Sequence, residues 1–270
     1  MIRRRIAALI TAFAVAALPV APANAGEAPA PQPAPIDPNY SWHDDAISKV
    51  LAGKPLADYV LHRVPGSFHD APRIPRESNE ALQRGNSLYG PGTPIYVGEG
   101  DHEVMCTVAV AGYGEHGNKY ALTAGHCGKF GDPVSSADSW QVGHSGNIVK
   151  VNERLDYALI ELGSNAEVTR SYDGVTINHL GSAPVKPGKN VCKKGVASGE
   201  TCGITWSDWN VQNVNQVCAM QGDSGAPLYT DDRLVGMING GLFPAPFDVQ
   251  CTTPLQGPIY APTSAARMDA

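Results

Sequence analysis

Short apolar runs separated by glycine, asparagine and proline dominate the chain from Thr93 onward. Their length and their β-branched and aromatic content are typical of strands. The runs are Val104–Ala111, Tyr120–Ala124, Ile148–Asn152, Tyr157–Leu162, Val211–Val217, Ala226–Tyr229 and Leu234–Ile238. In this part of the chain only Thr263–Met268 has an amphipathic helical pattern, and we expect a short helix there. Many short strands with frequent turn signals favour an all-β barrel or sandwich.

The first 25 residues have the three parts of a secretory signal peptide. A positively charged start, Met1–Arg5, precedes an apolar run, Ile6–Val20, and Ala23-Asn24-Ala25 resembles a cleavage site. The apolar run is short for a helix that spans a bilayer, so a membrane anchor is the weaker alternative. We therefore expect cleavage after Ala25, secretion to the medium or cell wall, and no stable membrane insertion.

Residues 26–92 differ in composition from the rest of the chain. Five prolines between Pro29 and Pro38 predict an extended linker. Ser41–Tyr59 has apolar residues at helical spacing, with Gly53-Lys54-Pro55 as a stop signal, and further prolines then predict loop. Two interpretations of this apolar-poor segment stay open: a tether or surface extension, and a propeptide that folds only against its partner domain.

Charge and cysteine content narrow the classes of partner. The net charge of −6, with no basic stripe beyond Arg3–Arg5, argues against nucleic acid. Six cysteines in an exported chain indicate disulfides, although the sequence alone does not choose among the possible pairings. A zinc site is disfavoured because no Cys-x-x-Cys occurs and the adjacent His126 and Cys127 cannot easily bind one ion together.

One serine has the setting of a nucleophile. The segment Cys218–Leu228 contains Gly222-Asp223-Ser224-Gly225 just before an apolar run. Flanking glycines permit a tight turn whose N–H groups can face a reacting oxygen. Because Gly-Asp-Ser-Gly also occurs in ordinary turns, the assignment of Ser224 depends on a base elsewhere in the chain.

A histidine and an aspartate supply the missing partners. His126 follows the apolar strand Tyr120–Ala124, and Asp156 precedes the strand Tyr157–Leu162. A serine hydroxyl needs a neighbouring base near neutral pH, and imidazole suits that role. A buried carboxylate can then fix the imidazole tautomer and stabilise the imidazolium.

Other acids and histidines have weaker settings. Asp173 and Asp208 are alternative acids, but neither precedes so continuous an apolar strand as Asp156 does. Surface or loop positions are expected for the remaining histidines, which are His43, His62, His69, His102, His116, His144 and His179. An α/β-hydrolase is disfavoured because its order is Ser, Asp, His and its motif, Gly-x-Ser-x-Gly, would need glycine where Ala226 stands.

The order His126, Asp156, Ser224 resembles that of chymotrypsin-fold serine peptidases, in particular the bacterial type that includes streptogrisins and α-lytic protease. The resemblance covers about Thr93 to Met268. It implies a secreted endopeptidase with two orthogonal six-stranded antiparallel β-barrels and a cleft between them. His126 would be the general base, Asp156 its orienting acid and Ser224 the nucleophile, with the N–H groups of Gly222 and Ser224 as the oxyanion hole.

The resemblance also implies the partners and the division of the chain. We expect a monomer that acts on peptides or proteins without a metal or organic cofactor. The expected division is signal peptide 1–25, linker and propeptide 26–92, and peptidase domain 93–270. Removal of the propeptide between about Arg84 and Thr93 would leave a domain of family size. A catalytically weak homologue that serves as a secreted binding protein is the alternative function.

Three disulfides and one ion pair follow from the same resemblance. Relatives usually have an arginine at the position of Lys193, where it pairs with the aspartate before the nucleophile, here Asp223. Lysine can neutralise Asp223 but lacks the bidentate fork of arginine. The implied disulfides are Cys106–Cys127, Cys192–Cys202 and Cys218–Cys251.

The specificity pocket implied by the resemblance is apolar rather than basic. Its base is expected six residues before the nucleophile, where Cys218 replaces the aspartate of trypsin-like members. The expected walls are Ala219, Asn239, Gly240 and Gly241. The family usually has serine at the position of Asn239 and glycine at the position of Ala226. These two differences leave the geometry of the site and its turnover open.

Overall fold

A computed structural model of the protein describes residues 40–181 and 183–268. The expected signal peptide and the proline-rich start of the linker lie outside the described residues. Within these residues the strands are β1 (Ser41–His43), β2 (Val60–His62), β3 (Ser87–Tyr89), β4 (Pro94–Val97), β5 (Val104–Thr107), β6 (Val110–Tyr113), β7 (Lys119–Ala124), β8 (Pro133–Ser136), β9 (Gly146–Asn152), β10 (Tyr157–Leu162), β11 (Ala166–Val168), β12 (Ser171–Tyr172), β13 (Val175–Thr176), β14 (His179–Leu180), β15 (Asn190–Gly195), β16 (Gly199–Trp209), β17 (Gln212–Asn215), β18 (Pro227–Thr230), β19 (Arg233–Gly241) and β20 (Thr263–Arg267). The α-helices of the described residues are α1 (Ala46–Leu51) and α2 (Arg76–Gln83). Short 3₁₀ segments lie at Gly100–His102, Glu115–Gly117, Gly125–Cys127, Ala137–Val142 and Pro254–Gln256.

The first barrel is built from antiparallel strands in the order β5-β4-β8-β9-β10-β7-β6. Only Val108 and Ala109 separate β5 from β6, so Val104–Tyr113 acts as one bent strand. That strand pairs with β4 at one end and with β7 at the other, which closes a ring of six. Alternate residues of β10 from Ala158 to Leu162 are buried inside the ring, as the two-residue period of a strand requires.

The second barrel closes through its last strand. Its order is β14-β19-β18-β15-β16-β17-β20, and β20 also pairs with β19, so six antiparallel strands form a ring. Strand β14 joins β19 from outside in parallel. The interior includes Val191, Leu228, Ile238 and Ala265. The expected all-β fold of two six-stranded barrels is confirmed.

The short helix expected at Thr263–Met268 is wrong, because this stretch forms β20. Ala265 lies opposite Asn213 of β17 and opposite Ile238 of β19. Hydrogen bonding to strands on both sides outweighs the modest helix preference of the two alanines. The correction matters for the site, since β20 completes the second barrel.

The segment before the barrels is more structured than its composition indicates. Of the helix expected at Ser41–Tyr59, only Ala46–Leu51 is helical. The Asp45 side chain caps its start by accepting a hydrogen bond from the Ser48 N–H at 2.8 Å. Gly53, with a φ of 68°, follows its end. Strands β1 and β2 on either side of α1 pair with each other.

Helix α2 lies in a stretch where the prolines predict loop, so that prediction is wrong. It begins directly after Pro75, a position where the missing N–H is tolerated. Ala81 of α2 is fully buried and packs with Leu88 and Tyr172. Neither described α-helix has the length and apolar composition that crossing a membrane requires.

Candidate active site

Strand pairing in the first barrel brings His126 and Asp156 together. His126 follows β7 in a 3₁₀ turn, and the disulfide of Cys127 ties this turn to β5. Strand β7 pairs with β10 so that Ala124 lies opposite Tyr157. His126 follows Ala124 by two residues and Asp156 directly precedes Tyr157, so His126 and Asp156 are neighbours at the rim of the barrel.

Asp156 is held by donors from both barrels. It adopts a left-handed backbone conformation, with a φ of 48°. Its Oδ1 accepts the His126 backbone N–H at 2.8 Å, and its Oδ2 lies 2.9 Å from His126 Nδ1. Asn239 donates from Nδ2 to Oδ2 at 2.5 Å, and its own Oδ1 accepts the Ala266 N–H at 2.5 Å. The carboxylate thus has a fixed orientation toward the imidazole.

Ser224 lies on a turn that only glycines can flank. Gly222 and Gly225 have φ values of 95° and 85°, in the region that favours glycine. A Cβ on Gly225 would lie 2.2 Å from the Thr107 carbonyl oxygen. The Thr107 N–H donates to the Ser224 carbonyl at 2.8 Å, which ties the turn to the first barrel. Ser224 Oγ then lies 2.8 Å from His126 Nε2.

The hydrogen bonds favour an ionised Asp156 and make His126 more basic. The hydrogen bond to Asp156 raises the pKa of His126 above its ordinary value, although partial burial opposes the shift. Burial would raise the pKa of Asp156, but hydrogen bonds from His126 and Asn239 outweigh it and hold that pKa below its ordinary value. An ionised carboxylate and an imidazole that binds a proton readily therefore stand beside the serine hydroxyl.

Two backbone donors of the serine turn have no hydrogen-bond partner among the described residues. Among the described residues, no acceptor is bonded to the N–H groups of Gly222 or Ser224, whereas the N–H of Asp223 between them donates to the Met220 carbonyl at 3.0 Å. Free donors beside a nucleophile can bind an oxyanion. These are the two groups that the sequence resemblance implies.

A buried ion pair lies under the turn. Lys193 Nζ is 3.0 Å from Asp223 Oδ2, and both side chains are fully buried. Lys193 also donates to the Gly199 carbonyl at 2.9 Å and to Ser198 Oγ. Asp223 Oδ1 accepts the Ala197 N–H at 2.8 Å. A carboxylate with this many donors holds the backbone next to Ser224 in one conformation.

The three disulfides of the structure are the ones that the resemblance implies. They anchor different parts of the site: the histidine turn, the β15–β16 hairpin that supplies Lys193, and the rim of the cavity described next. The bonds are Cys106–Cys127, Cys192–Cys202 and Cys218–Cys251.

A cavity of about 640 Å³ opens beside Ser224 and His126. Its lining comes from two groups of residues. The larger group belongs to the second barrel and the loop after β19, and includes Ala219, Ile238, Asn239, Gly240, Gly241, Phe243, Asp248, Val249 and Ala261. The smaller group surrounds Val64, which lies in the segment before the barrels. It consists of Val64, of Val104, Met105 and the Cys106–Cys127 disulfide from the first barrel, and of Met220, Gln221 and Gly222 from the turn before Ser224. Most of these side chains are apolar, and Asp248 is the exception with a charge.

Four of the five residues expected in the specificity pocket line this cavity, and Cys218 does not. Cys218 is buried in its disulfide with Cys251, and its Sγ lies 3.3 Å from His69 Nε2. Counting six residues back from Ser224 therefore leads to a bridge behind the rim rather than to the floor of the pocket. Asn239 lines the cavity while its side chain is engaged by Asp156.

Ala226, the unusual residue after the nucleophile motif, fits without strain. It is fully buried in the second core beside Leu228 and Ile238. Its N–H donates to the Asp223 carbonyl and its carbonyl accepts the Ile238 N–H, both at 2.9 Å. The methyl group therefore fills core space and does not crowd the turn.

Two histidines are buried, and one of them, His62, also departs from the surface or loop positions expected for them. His62 lies in β2 and is buried, and His69 is buried against the disulfide of Cys218 and Cys251. Burial lowers the pKa of His69 to about 4, so the imidazole is neutral. The two sulfur atoms beside it are bonded to each other, and this cluster offers no thiolate for a metal ion.

Sequence reasoning missed several residues that line or support the site. Thr107 follows a cysteine in an ordinary strand, and Phe243, Asp248 and Val249 belong to a loop without a motif. Val64 lies in a segment for which composition predicts loop, far from the nucleophile in sequence. No local pattern marks these residues, because tertiary contacts alone bring them to the cavity.

Comparison with known proteins gives matches over the part of the chain that forms the two barrels. The family model described as Trypsin matches residues 98–264. An uncharacterized protein of Mycobacterium tuberculosis, Rv1815, is 33% identical over 162 residues, which cover 52% of this chain and 71% of that protein. Streptogrisin-D of Streptomyces griseus is 33% identical over 236 residues, which cover 76% of this chain but only 55% of the relative.

Solved structures with the same fold include two bacterial proteases. Thermobifida fusca protease A has a TM-score of 0.51 and 23% identity, with 67% of this chain and 91% of that chain covered. Nocardiopsis protease has a TM-score of 0.50 and 23% identity, with 67% of this chain and 92% of that chain covered. At this identity the likeness establishes the two-barrel architecture.

Proposed function

Because the chain belongs to the trypsin family and is a serine-type endopeptidase, we propose that it hydrolyses peptide bonds through an acyl-enzyme on Ser224. The carrying observation is a continuous chain of hydrogen bonds. Ser224 Oγ lies 2.8 Å from His126 Nε2, and His126 Nδ1 lies 2.9 Å from Asp156 Oδ2. This arrangement supports His126 as general base and Asp156 as the acid that orients it.

Each step uses groups already in place. As Ser224 Oγ attacks the scissile carbonyl, His126 Nε2 takes the hydroxyl proton. The oxygen of the tetrahedral intermediate binds the N–H groups of Gly222 and Ser224. His126 then gives its proton to the leaving amine, and Asp156 stays ionised throughout. In deacylation, His126 takes a proton from water as the water oxygen attacks the acyl carbon, and it then returns a proton to Ser224 Oγ as the acid is released.

The apolar lining of the cavity supports selectivity for an apolar or aromatic residue on the acyl side of the cut. Phe243, Val249 and Ala261 offer an apolar surface, and the Gly240–Gly241 pair leaves the entrance open. Asp248 is the one lining residue that would favour a basic side chain. A peptide library read with wild type and Asp248→Asn separates the two preferences. Apolar selectivity that persists in both proteins supports the proposal, and basic selectivity lost in Asp248→Asn contradicts it.

We also propose export to the outside of the cell, with residues 1–25 as the signal peptide, 26–92 as an N-terminal segment and 93–270 as the peptidase domain. The three disulfides support export, since such bonds persist in oxidising compartments. The measurement is N-terminal sequencing of protein from the culture medium. Retention of the full chain in the cytoplasm would contradict export.

The decisive experiment reacts the purified protein with a fluorophosphonate probe beside a Ser224→Ala control. Labelling of the wild type alone supports an activated serine at this position. A folded wild type that is not labelled would instead favour the alternative function, a weak homologue that binds without cleaving. A panel of peptide and ester substrates then distinguishes a peptidase from an esterase.

The pH profile of activity should have its acid limb above pH 6.5, the ordinary pKa of histidine. His126 must be neutral to accept the serine proton, and the hydrogen bond to Asp156 raises its pKa. Activity should therefore rise with pH through an apparent pKa higher than that value. The measurement is kcat/KM for an ester substrate from about pH 5 to 9, which reports the free enzyme.

A matched control for this profile is His179→Gln. It removes another histidine near an acid, with His179 Nε2 3.8 Å from Asp232 Oδ2 on the surface. The acid limb should be unchanged in this variant. A wild-type limb below pH 6.5, with the protein folded throughout, would contradict a raised pKa of His126, and a limb that moves in His179→Gln would contradict its assignment to His126.

A further inference from the structure

Residues 60–71, here called the strap, cross from the first barrel to the second beside the serine turn. The strap begins with β2 and lies wholly within the segment before the barrels. Its middle residue Val64 lines the same cavity as Ser224 and His126. A segment that composition assigns to linker or propeptide therefore contributes a wall to the active-site cleft.

The first anchor of the strap is a buried charge. Arg63 Nη1 lies 3.3 Å from Asp138 Oδ1, and the two side chains are 2% and 1% exposed. Asp138 also accepts hydrogen bonds from Ser78 Oγ and the Tyr172 hydroxyl. Removal of the strap would leave a buried carboxylate without its cation, which proteins rarely tolerate.

The second anchor is on the other barrel. Ser67 Oγ donates to the Ala197 carbonyl at 2.9 Å, and the Phe68 N–H donates to the Thr252 carbonyl at 2.7 Å. His69 packs on the disulfide next to these contacts, and its burial keeps the imidazole neutral. The strap is therefore fixed on both sides of the cleft.

Between the anchors, Val64 packs on the serine turn. It forms a cluster with Val196 and Ala197, and partly buried Met105 and Met220 complete it. A Cβ placed on the neighbouring glycine at position 222 would lie 3.1 Å from a methyl of Val64. The strap thus supports the backbone that carries one of the two free N–H donors.

The position of this cluster identifies which half of a peptide it meets. The two halves of a bound peptide leave the reacting carbonyl in opposite directions, and His126 must reach the leaving nitrogen. Met105 precedes the cysteine whose disulfide holds the histidine turn, so this apolar cluster lies on the histidine side. The Gly240–Gly241 side of the cavity is then left for the acyl half.

We propose that the strap is a permanent part of the enzyme and that Val64, with Met105 and Met220, forms an apolar subsite for the residue after the scissile bond. This rests on the proposed function of Ser224. A removable propeptide, the other interpretation of the segment, becomes an outcome of the test. The strap does not come between Ser224 Oγ and His126 Nε2, which remain in hydrogen-bond contact.

The first test determines whether the active species contains the strap. Protein recovered from the medium is labelled with fluorophosphonate, and the N-terminus of the labelled species is determined. An N-terminus before Val60 supports the proposal. A labelled species that begins after Ala71 overturns it while leaving the proposed function intact. A wild type that is never labelled overturns both.

The second test measures selectivity for the residue after the scissile bond separately from selectivity for the residue before it. An acyl-enzyme formed from one ester substrate is partitioned between water and added amines, leucinamide or glycinamide. Wild type should favour leucinamide, and Val64→Ala should reduce that preference about fivefold or more, the size expected when apolar contact is lost. Val64→Thr, which keeps the shape, should reduce it less and guards against a folding defect.

The matched control is Val249→Ala, which truncates a valine in the larger group of lining residues. It should change the preferred acyl residue and leave the amine partition unaltered. If Val64→Ala and Val64→Thr are folded and labelled by the probe yet partition the amines as wild type does, the subsite is overturned. The subsite proposal would also be overturned if Val249→Ala, and neither variant of Val64, changed the partition between leucinamide and glycinamide.

Discussion

Replacing Asp156 with asparagine is expected to lower kcat by about 10⁴-fold, as the equivalent change does in serine peptidases with this triad. The carboxylate accepts three N–H groups, two from His126 and one from Asn239. An asparagine must turn an NH₂ toward at least one of these donors. His126 Nδ1 would then act as an acceptor, so the proton would move to Nε2, which could no longer take one from Ser224.

The backbone should tolerate this change. Asp156 has a φ of 48°, and asparagine is one of the few residues that adopt the left-handed region readily. The loss of activity should therefore occur without a large loss of stability, and the acid limb of the pH profile should move to lower pH because the carboxylate no longer raises the pKa of His126. Stopped-flow kinetics and thermal unfolding measure the two effects.

Asp173→Asn is the matched control. Asp173 also has a positive φ, 43°, and the sequence offers it as an alternative acid. It pairs with Lys194 and lies away from the histidine. Activity should be close to that of wild type in this variant. A large loss in Asp173→Asn, or none in Asp156→Asn, would refute the assignment of the orienting acid.

Replacing Lys193 with methionine is expected to cost about 3–5 kcal/mol of folding free energy, the range for breaking a buried ion pair. Lys193 and Asp223 are both fully buried, and the lysine Nζ is 3.0 Å from the carboxylate. Burial lowers the pKa of Lys193, and Asp223 opposes that shift. Methionine fills similar space but leaves the Asp223 charge without a cation.

Activity should fall with stability, because Asp223 separates the two oxyanion donors in sequence. Urea unfolding gives the free energy, and the probe-labelling rate reports the turn. Lys194→Met is the control on the neighbouring residue, which is also buried but whose partner Asp173 is partly exposed, and it should cost less than Lys193→Met. Adding Asp223→Asn to Lys193→Met should recover part of the lost stability, as coupled residues do. Equal losses in the two lysine variants would contradict a special role for Lys193.

The candidate triad is predictable from the sequence because each of its residues lies close to a strand. Once β7 and β10 are recognised, their pairing places His126 beside Asp156. The Gly222–Gly225 motif predicts its own turn, since two of its residues need positive φ values. Local patterns therefore predict the all-β class, which the structure confirms, and they select His126, Asp156 and Ser224, which lie within hydrogen-bond distance of one another in the structure.

Features that depend on distant contacts could not be predicted in this way. The stretch Thr263–Arg267 has a helical pattern but forms a strand, because β17 and β19 both pair with it. Counting back from Ser224 leads to Cys218, but a count along the chain does not show that its disulfide with Cys251 keeps it out of the cavity lining. Val64 reaches the cleft through the Arg63–Asp138 pair, whose members are 75 residues apart.

Strand β20 links the geometry of the candidate site to a late part of the chain. Ala266 anchors the Asn239 amide that orients Asp156, and the same strand closes the second barrel. A ribosome makes this strand after all three members of the triad. A growing chain can therefore carry His126, Asp156 and Ser224 while the amide that aligns them is still free. We therefore expect the proposed triad to become fully aligned only after synthesis has passed Arg267.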